Sequence, residues 1–339
     1  MIIRYQQSTT ERRVIMLFIT NRTPEQSARS ELGRKISFDY DNTAVSQFLY
    51  FCERESVDDY NEIGSQQFFQ KLKDIPSQKV QLLFYIHGFN NNMEPDVFEN
   101  AETLQTLFNK ISDELVHVVP IIWPCDDDAP IAFLDDYWDD QDAADASGPA
   151  ISRLLGKFDS WRKQKQQQDI VCLRRINVLA HSMGNRVLEK SLSYWAENYS
   201  AGNMPQLFRN VFMVAADVKN ETLEQDEPGR YIVDSCRNLV VYYANDDFAM
   251  PASKVANIKN KTLSRRMGMT GPESLEKLPK CVYEVDCDDF NNRFDPKGHT
   301  YFLKDKDDVV SPVIKHMADA IDGGRVKPAE RSIVLPKPD

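Results

Sequence analysis

The sequence has 339 residues, 42% of them hydrophobic and 27% charged, enough to bury a substantial core in one large domain or two small ones. Its net charge of −11 excludes the basic footprint of a nucleic-acid binder. The six cysteines lie far apart with no C-x-x-C pair, which excludes a zinc ribbon or a thioredoxin motif and suits buried free thiols in a reducing cytoplasm.

The first apolar run, Val14–Ile19, is too short for a signal-peptide core or a membrane span, and no later run is long enough either. A soluble, cytoplasmic protein without stable membrane insertion is expected. Further β-rich apolar runs follow at 80–86, 118–123, 176–180, 211–215, 239–243 and 281–285. Runs apolar on both faces are what a parallel sheet covered by helices requires. Helix-period segments lie between them, at 95–116, 150–165, 184–198 and 309–321. In the first, Phe98, Ala101, Leu104, Phe108, Ile111 and Leu115 mark one face.

This alternation predicts a doubly wound α/β sheet with its core over 80–325. No linker separates residues 1–79, which are expected to add edge strands and a helix, so that 1–339 forms a single domain. The acidic runs 125–130, 133–147 and 284–290 read as solvated loops and helix starts, because none has the register of a calcium loop. Residues 251–280, basic for their length, read as an excursion over the sheet, a possible cap or lid.

In "NVLAHSMGNRVLEKSL" (177–192) a strand pattern stops and a helix pattern starts around Ser182, with Ala180 two residues before it and Gly184 two after. A tight strand-to-helix turn exposes a serine Oγ above the strand ends and brings those flanks into contact, so both must be small. The Met183 N–H then points into the site as an oxyanion donor. "LLFYIHGFNNN" (82–92) is a strand ending in His-Gly, and its loop is expected to supply the second donor from Phe89 or Asn90. His87 reads as structural.

A serine hydroxyl needs a base, and the base needs an orienting carboxylate. His87 and His181 belong to the two loops, while His117 and His316 fall in a strand and a helix. That leaves His299, on a loop beside Gly298. Asp217, Asp246 and Asp247 all follow strand candidates, and the chain order Ser, Asp, His holds for each, with the Asp246–Asp247 pair in the commoner place for the acid. Trp123, Tyr137 and Trp138 follow the third of the main strand candidates as possible substrate-pocket residues. The run Lys254–Arg266 is a possible contact for an anionic substrate, against an ordinary solvated helix or lid.

Taken in order, "FITNR", "HGFNN", "IIWP", "LAHSMGNRVL", "AADV", "NDDFAMPAS", "RRMG" and "GHTYF" resemble an uncharacterised bacterial α/β-hydrolase family, over roughly residues 14–304. The resemblance implies an α/β-hydrolase fold with a mostly parallel central sheet flanked by helices on both faces. By position it implies Ser182 as nucleophile, His299 as base and Asp247 as the acid. The sequence departs from the family pattern at Met250, where leucine is usual, and in the extra acid at Asp246. The expected function is a serine hydrolase cleaving an acyl ester of a small molecule, with no cofactor and no metal. The alternatives are an amidase, thioesterase or lipase on the same triad, or a non-catalytic binding protein of the same fold.

Overall fold

A computed structural model describes residues 15–40, 43–125, 133–164, 167, 174–247 and 265–338. They build an 11-stranded sheet in the order β11-β10-β9-β8-β7-β5-β6-β1-β3-β4-β2. In chain order the first strands are β1 (Met16–Arg22), β2 (Lys35–Ile36), β3 (Val45–Ser56) and β4 (Asp59–Glu62). They are followed by β5 (Gln81–Ile86), β6 (Val116–Ile122), β7 (Ile176–His181), β8 (Phe208–Val214), β9 (Cys236–Tyr243), β10 (Val282–Asp286) and β11 (Ser332–Val334). All neighbours from β11 across to β1 pair in parallel, whereas β3, β4 and β2 join antiparallel at one edge. The central β5 is buried at every position, which is why it reads as a continuous apolar run.

Helices α1 (Gly64–Lys73), α2 (Phe98–Ile111), α3 (Phe133–Arg162), α4 (Gly184–Tyr199) and α5 (Arg230–Ser235) come from the first part of the chain, and α6 (Met267–Thr270), α7 (Asn291–Phe294) and α8 (Pro312–Gly323) from the last. Residues of α2 and α8 pack into the core on one face of the sheet, and residues of α1, α3, α4 and α5 into the core on the other. Among the described residues no helix is long and apolar enough to cross a membrane.

Three expectations change in detail. The predicted helix face at 95–116 stops early: α2 ends where Ser112 turns extended, Ile111 is exposed, and Leu115 is buried in the approach to β6. The predicted helix at 150–165 is the second half of α3, which runs through Pro149 and takes in the acidic stretch from Phe133 onward. Its acids are not all solvated, for Asp140 is fully buried. Finally, of the expected excursion at 251–280, residues 265–271 are pinned by backbone hydrogen bonds. Met267 N–H donates to the Val218 carbonyl, Gly268 N–H to Ala216, and Ala244 N–H to the Gly268 carbonyl, which ties this stretch to the ends of β8 and β9. Residues 251–264 lie outside the described residues.

An amide ladder crosses the strands near their amino-terminal ends. Asn238 Nδ2 donates to Asn210 Oδ1 (2.8 Å), Asn210 Nδ2 to Asn177 Oδ1 (2.7 Å), and Asn177 Nδ2 to Gln81 Oε1 (3.3 Å). The asparagines are register partners on β9, β8 and β7, so sliding any strand by one residue breaks the ladder. Asn210→Ala would leave a buried carbonyl and a buried amide without partners. It is expected to cost about 2–5 kcal/mol, read as a lower urea midpoint.

The chain leaves β5 for β6 on one side and then crosses to β7 on the other. Such a reversal opens a crevice at the carboxyl ends of the two strands, where ligands bind in open α/β sheets. Gly88 follows one of those ends and Ser182 the other.

Candidate active site

Ser182 sits at φ 52°, a left-handed conformation rare for a residue with a side chain. The turn is held from several directions. Ser182 N–H donates to the Val214 carbonyl (2.9 Å), and Asp217 N–H donates to the Ser182 carbonyl (3.2 Å). The buried Asn185 donates its side-chain amide to the carbonyls of Ala180 (2.9 Å) and Ser182 (3.1 Å). Asn185 was not singled out from the sequence; its only signal is its place in the "AHSMGNR" block.

The small flanks have a direct cause. A Cβ on Gly184 would lie 2.4 Å from the His87 carbonyl oxygen and 2.6 Å from that of Ile86. Both obstacles are backbone of the neighbouring strand end, so neither can swing away. Gly184→Ala is therefore expected to cost about 3 kcal/mol, seen as a lower Tm. Gly88 is equally constrained, since a Cβ there would lie 2.9 Å from Ser182 Cβ.

His299 follows Gly298, whose φ of 70° sharpens the turn. The His299 and Thr300 amides both donate to Asp295 Oδ2, at 3.0 and 2.7 Å. Its Nδ1 lies 2.7 Å from Asp247 Oδ2. That contact assigns the Nδ1–H tautomer to a neutral ring and leaves the Nε2 lone pair for another proton. Burial pulls the His299 pKa down, but the charge and hydrogen bond of Asp247 outweigh it, with help from Asp295 and Asp217, so the net shift is upward. Among the described residues, neither Ser182 Oγ nor His299 Nε2 carries a hydrogen bond. In unliganded sites the nucleophile–base contact is often long and closes on substrate.

The other two carboxylates are engaged elsewhere. Asp246 accepts from the side-chain amides of Asn291 (2.5 Å) and Asn292. Asp217 accepts the Tyr137 hydroxyl proton at 2.6 Å and pairs with Arg266 at 3.1 Å. Arg266 is thus a buried partner of Asp217 and not an exposed cation for an anionic substrate; Lys254, Lys259 and Lys261 lie outside the described residues.

Among the described residues the Met183 amide hydrogen has no acceptor, as an oxyanion donor requires. The Asn90 N–H donates to Asp140 Oδ2 at 3.4 Å, a long hydrogen bond that competes with an oxyanion for this donor. His87 is a loop anchor. Its ring stacks on Trp123 at 5.1 Å, and the Trp123 indole N–H donates to the His87 carbonyl at 2.9 Å. Burial, the main cause, lowers the His87 pKa to about 4. Trp123 is fully buried by this stack, so it supports the loop and does not line a pocket. Tyr137 is buried between Asp217 and the edge of the Phe89 ring, 5.6 Å away, which makes it a spacer under the loop. The Trp138 side chain lies outside the described residues.

The end of β1 was also missed as part of this region. Arg22 is fully buried and donates to the Asp39 and Tyr40 carbonyls at 2.9 and 3.1 Å and to the Cys125 carbonyl, while Asn21 donates to Ser147 at 2.9 Å. The "TNR" triplet thus braces the loop after β6, whose Cys125 thiol donates to Asp140. Among the described residues no group of three or more His, Cys, Asp or Glu side chains converges to hold a metal ion.

A mostly parallel sheet with a strained serine at a strand-to-helix turn, beside a His–Asp pair whose carboxylate is buried and whose ring is partly exposed, defines an α/β-hydrolase architecture. Residues 63–316 match the family described as alpha/beta hydrolase of unknown function (DUF900), and the chain belongs to it. No curated protein matches the chain.

Proposed function

We propose that this protein is a serine hydrolase that cleaves carboxylic esters through an acyl-enzyme. The observation that carries the reading is the His299–Asp247 pair, held at 2.7 Å on a loop whose histidine ring packs 4.8 Å from that of His181, the residue before Ser182. His299 Nε2 takes the Ser182 Oγ proton as Oγ attacks the ester carbonyl carbon. Asp247 holds the imidazole tautomer and stabilises the imidazolium. The Met183 and Phe89 amides receive the oxyanion. The C–O bond to the alcohol breaks as His299 returns the proton to it, and water repeats the sequence on the acyl group.

The described cysteines are all free, and all but Cys281 are buried, which accords with a reducing, cytoplasmic setting. The reading is tested by mass spectrometry after a fluorophosphonate probe. Stoichiometric modification of Ser182, lost in His299→Ala, is the expected result. A folded protein that takes no label would move the non-catalytic reading to the front.

A further inference from the structure

We infer that His181 is a positioning residue that ties the base loop to the serine turn, through a hydrogen bond from its ring to the backbone of His299. The inference rests on the reading of His299 as base and adds a residue that takes no part in the proton transfers.

His181 touches each working part of the site. Covalently it is the residue before Ser182. Its Nε2 lies 3.3 Å from the His299 carbonyl oxygen, so that nitrogen carries the proton and donates. Its ring packs 4.8 Å from the His299 ring and 4.9 Å from Phe302, on the same loop. On the other side its Nδ1 abuts Gly88, where a Cβ would lie 3.0 Å away. One imidazole therefore sets the spacing between the oxyanion loop, the serine turn and the base loop.

The residue must be a donor and must stay neutral. A cationic ring there would oppose the imidazolium that His299 forms during turnover. Burial, reinforced by the nearby His299 and His87, holds the His181 pKa well below the usual imidazole range. The charged groups that face His299 are Asp247, Asp295 and Asp217, and all of them favour its protonated form. The two adjacent histidines are thereby driven in opposite directions, which allows one to act as a base and the other as a fixed strut.

The test compares His181→Gln with His181→Asn. Glutamine carries its amide nitrogen out to about the position of Nε2, while asparagine reaches only that of Nδ1 and cannot meet the His299 carbonyl. Two readouts are taken on folded protein: the titration midpoint of His299 by NMR of histidine-labelled samples, and the rate of fluorophosphonate modification of Ser182. In the asparagine variant the His299 ring is expected to drift from Asp247, lowering its midpoint, with modification slowed about tenfold. The glutamine variant is expected to keep both near the wild-type values. Equal behaviour of the two variants, whether intact or impaired, would overturn the inference. A wild-type protein that takes no label would instead overturn the hydrolase reading, while the NMR midpoints still decide the role of His181.

Discussion

Ser182→Ala is expected to lower kcat for any ester substrate by about 10⁶ and to abolish the burst of released alcohol. The magnitude follows from the division of labour. Without Oγ there is no atom for His299 to deprotonate and no acyl-enzyme, so only the oxyanion donors and substrate binding remain. Alanine keeps a Cβ at the φ of 52°, and the turn's hydrogen bonds use backbone atoms and Asn185, so the fold should survive. Stopped-flow measurement of the burst on a chromogenic ester, with Tm as a control, checks the result. A variant with near-wild-type turnover would place the nucleophile elsewhere.

Asp247→Asn is the second large effect, with kcat expected to fall about 10⁴-fold because an amide at this position favours the wrong imidazole tautomer. Its pH signature separates it from a general loss of structure. In the wild type the base must be neutral to act, and Asp247 helps to raise the His299 pKa. The acid limb of kcat/KM should therefore have its midpoint above about 6.5, the ordinary imidazole value. Removing the Asp247 charge leaves burial as the dominant influence, so the midpoint should move to lower pH. Asp246→Asn, by contrast, should leave both kcat and the midpoint nearly unchanged, because Asp246 faces Asn291 and Asn292. A matched set of pH–rate profiles decides between the two. A shift in Asp246→Asn and none in Asp247→Asn would reverse the assignment.

The parts legible in the sequence are those where one short segment carries its own constraint. Strands β5 to β9 are apolar on both faces because helices cover both sides of the sheet. The serine turn is legible because its contacts fall two residues either side of Ser182, and the Gly184 contact with the Ile86 and His87 carbonyls gives that pattern a steric cause. By contrast β3, paired on both sides but with Gln47 and Phe48 exposed and Glu53, Arg54 and Glu55 half-buried, is not legible as a strand, since a strand partly open to water keeps polar residues that blur its periodicity.

What the sequence by itself determined, then, was the order of the main strands and helices, the serine turn, and the field of acids and histidines from which a relay can be drawn. Only the tertiary structure decided the partners. It placed Asp247 against His299, gave Asp217 to Tyr137 and Arg266, directed the Asn90 amide to Asp140, and set Trp123 under His87. Every one of these contacts joins residues at least 36 apart in the chain. A carboxylate at a strand end looks the same in sequence whatever lies above it. Which side chain it meets depends on how neighbouring strands and loops converge, and that convergence is a property of the folded sheet.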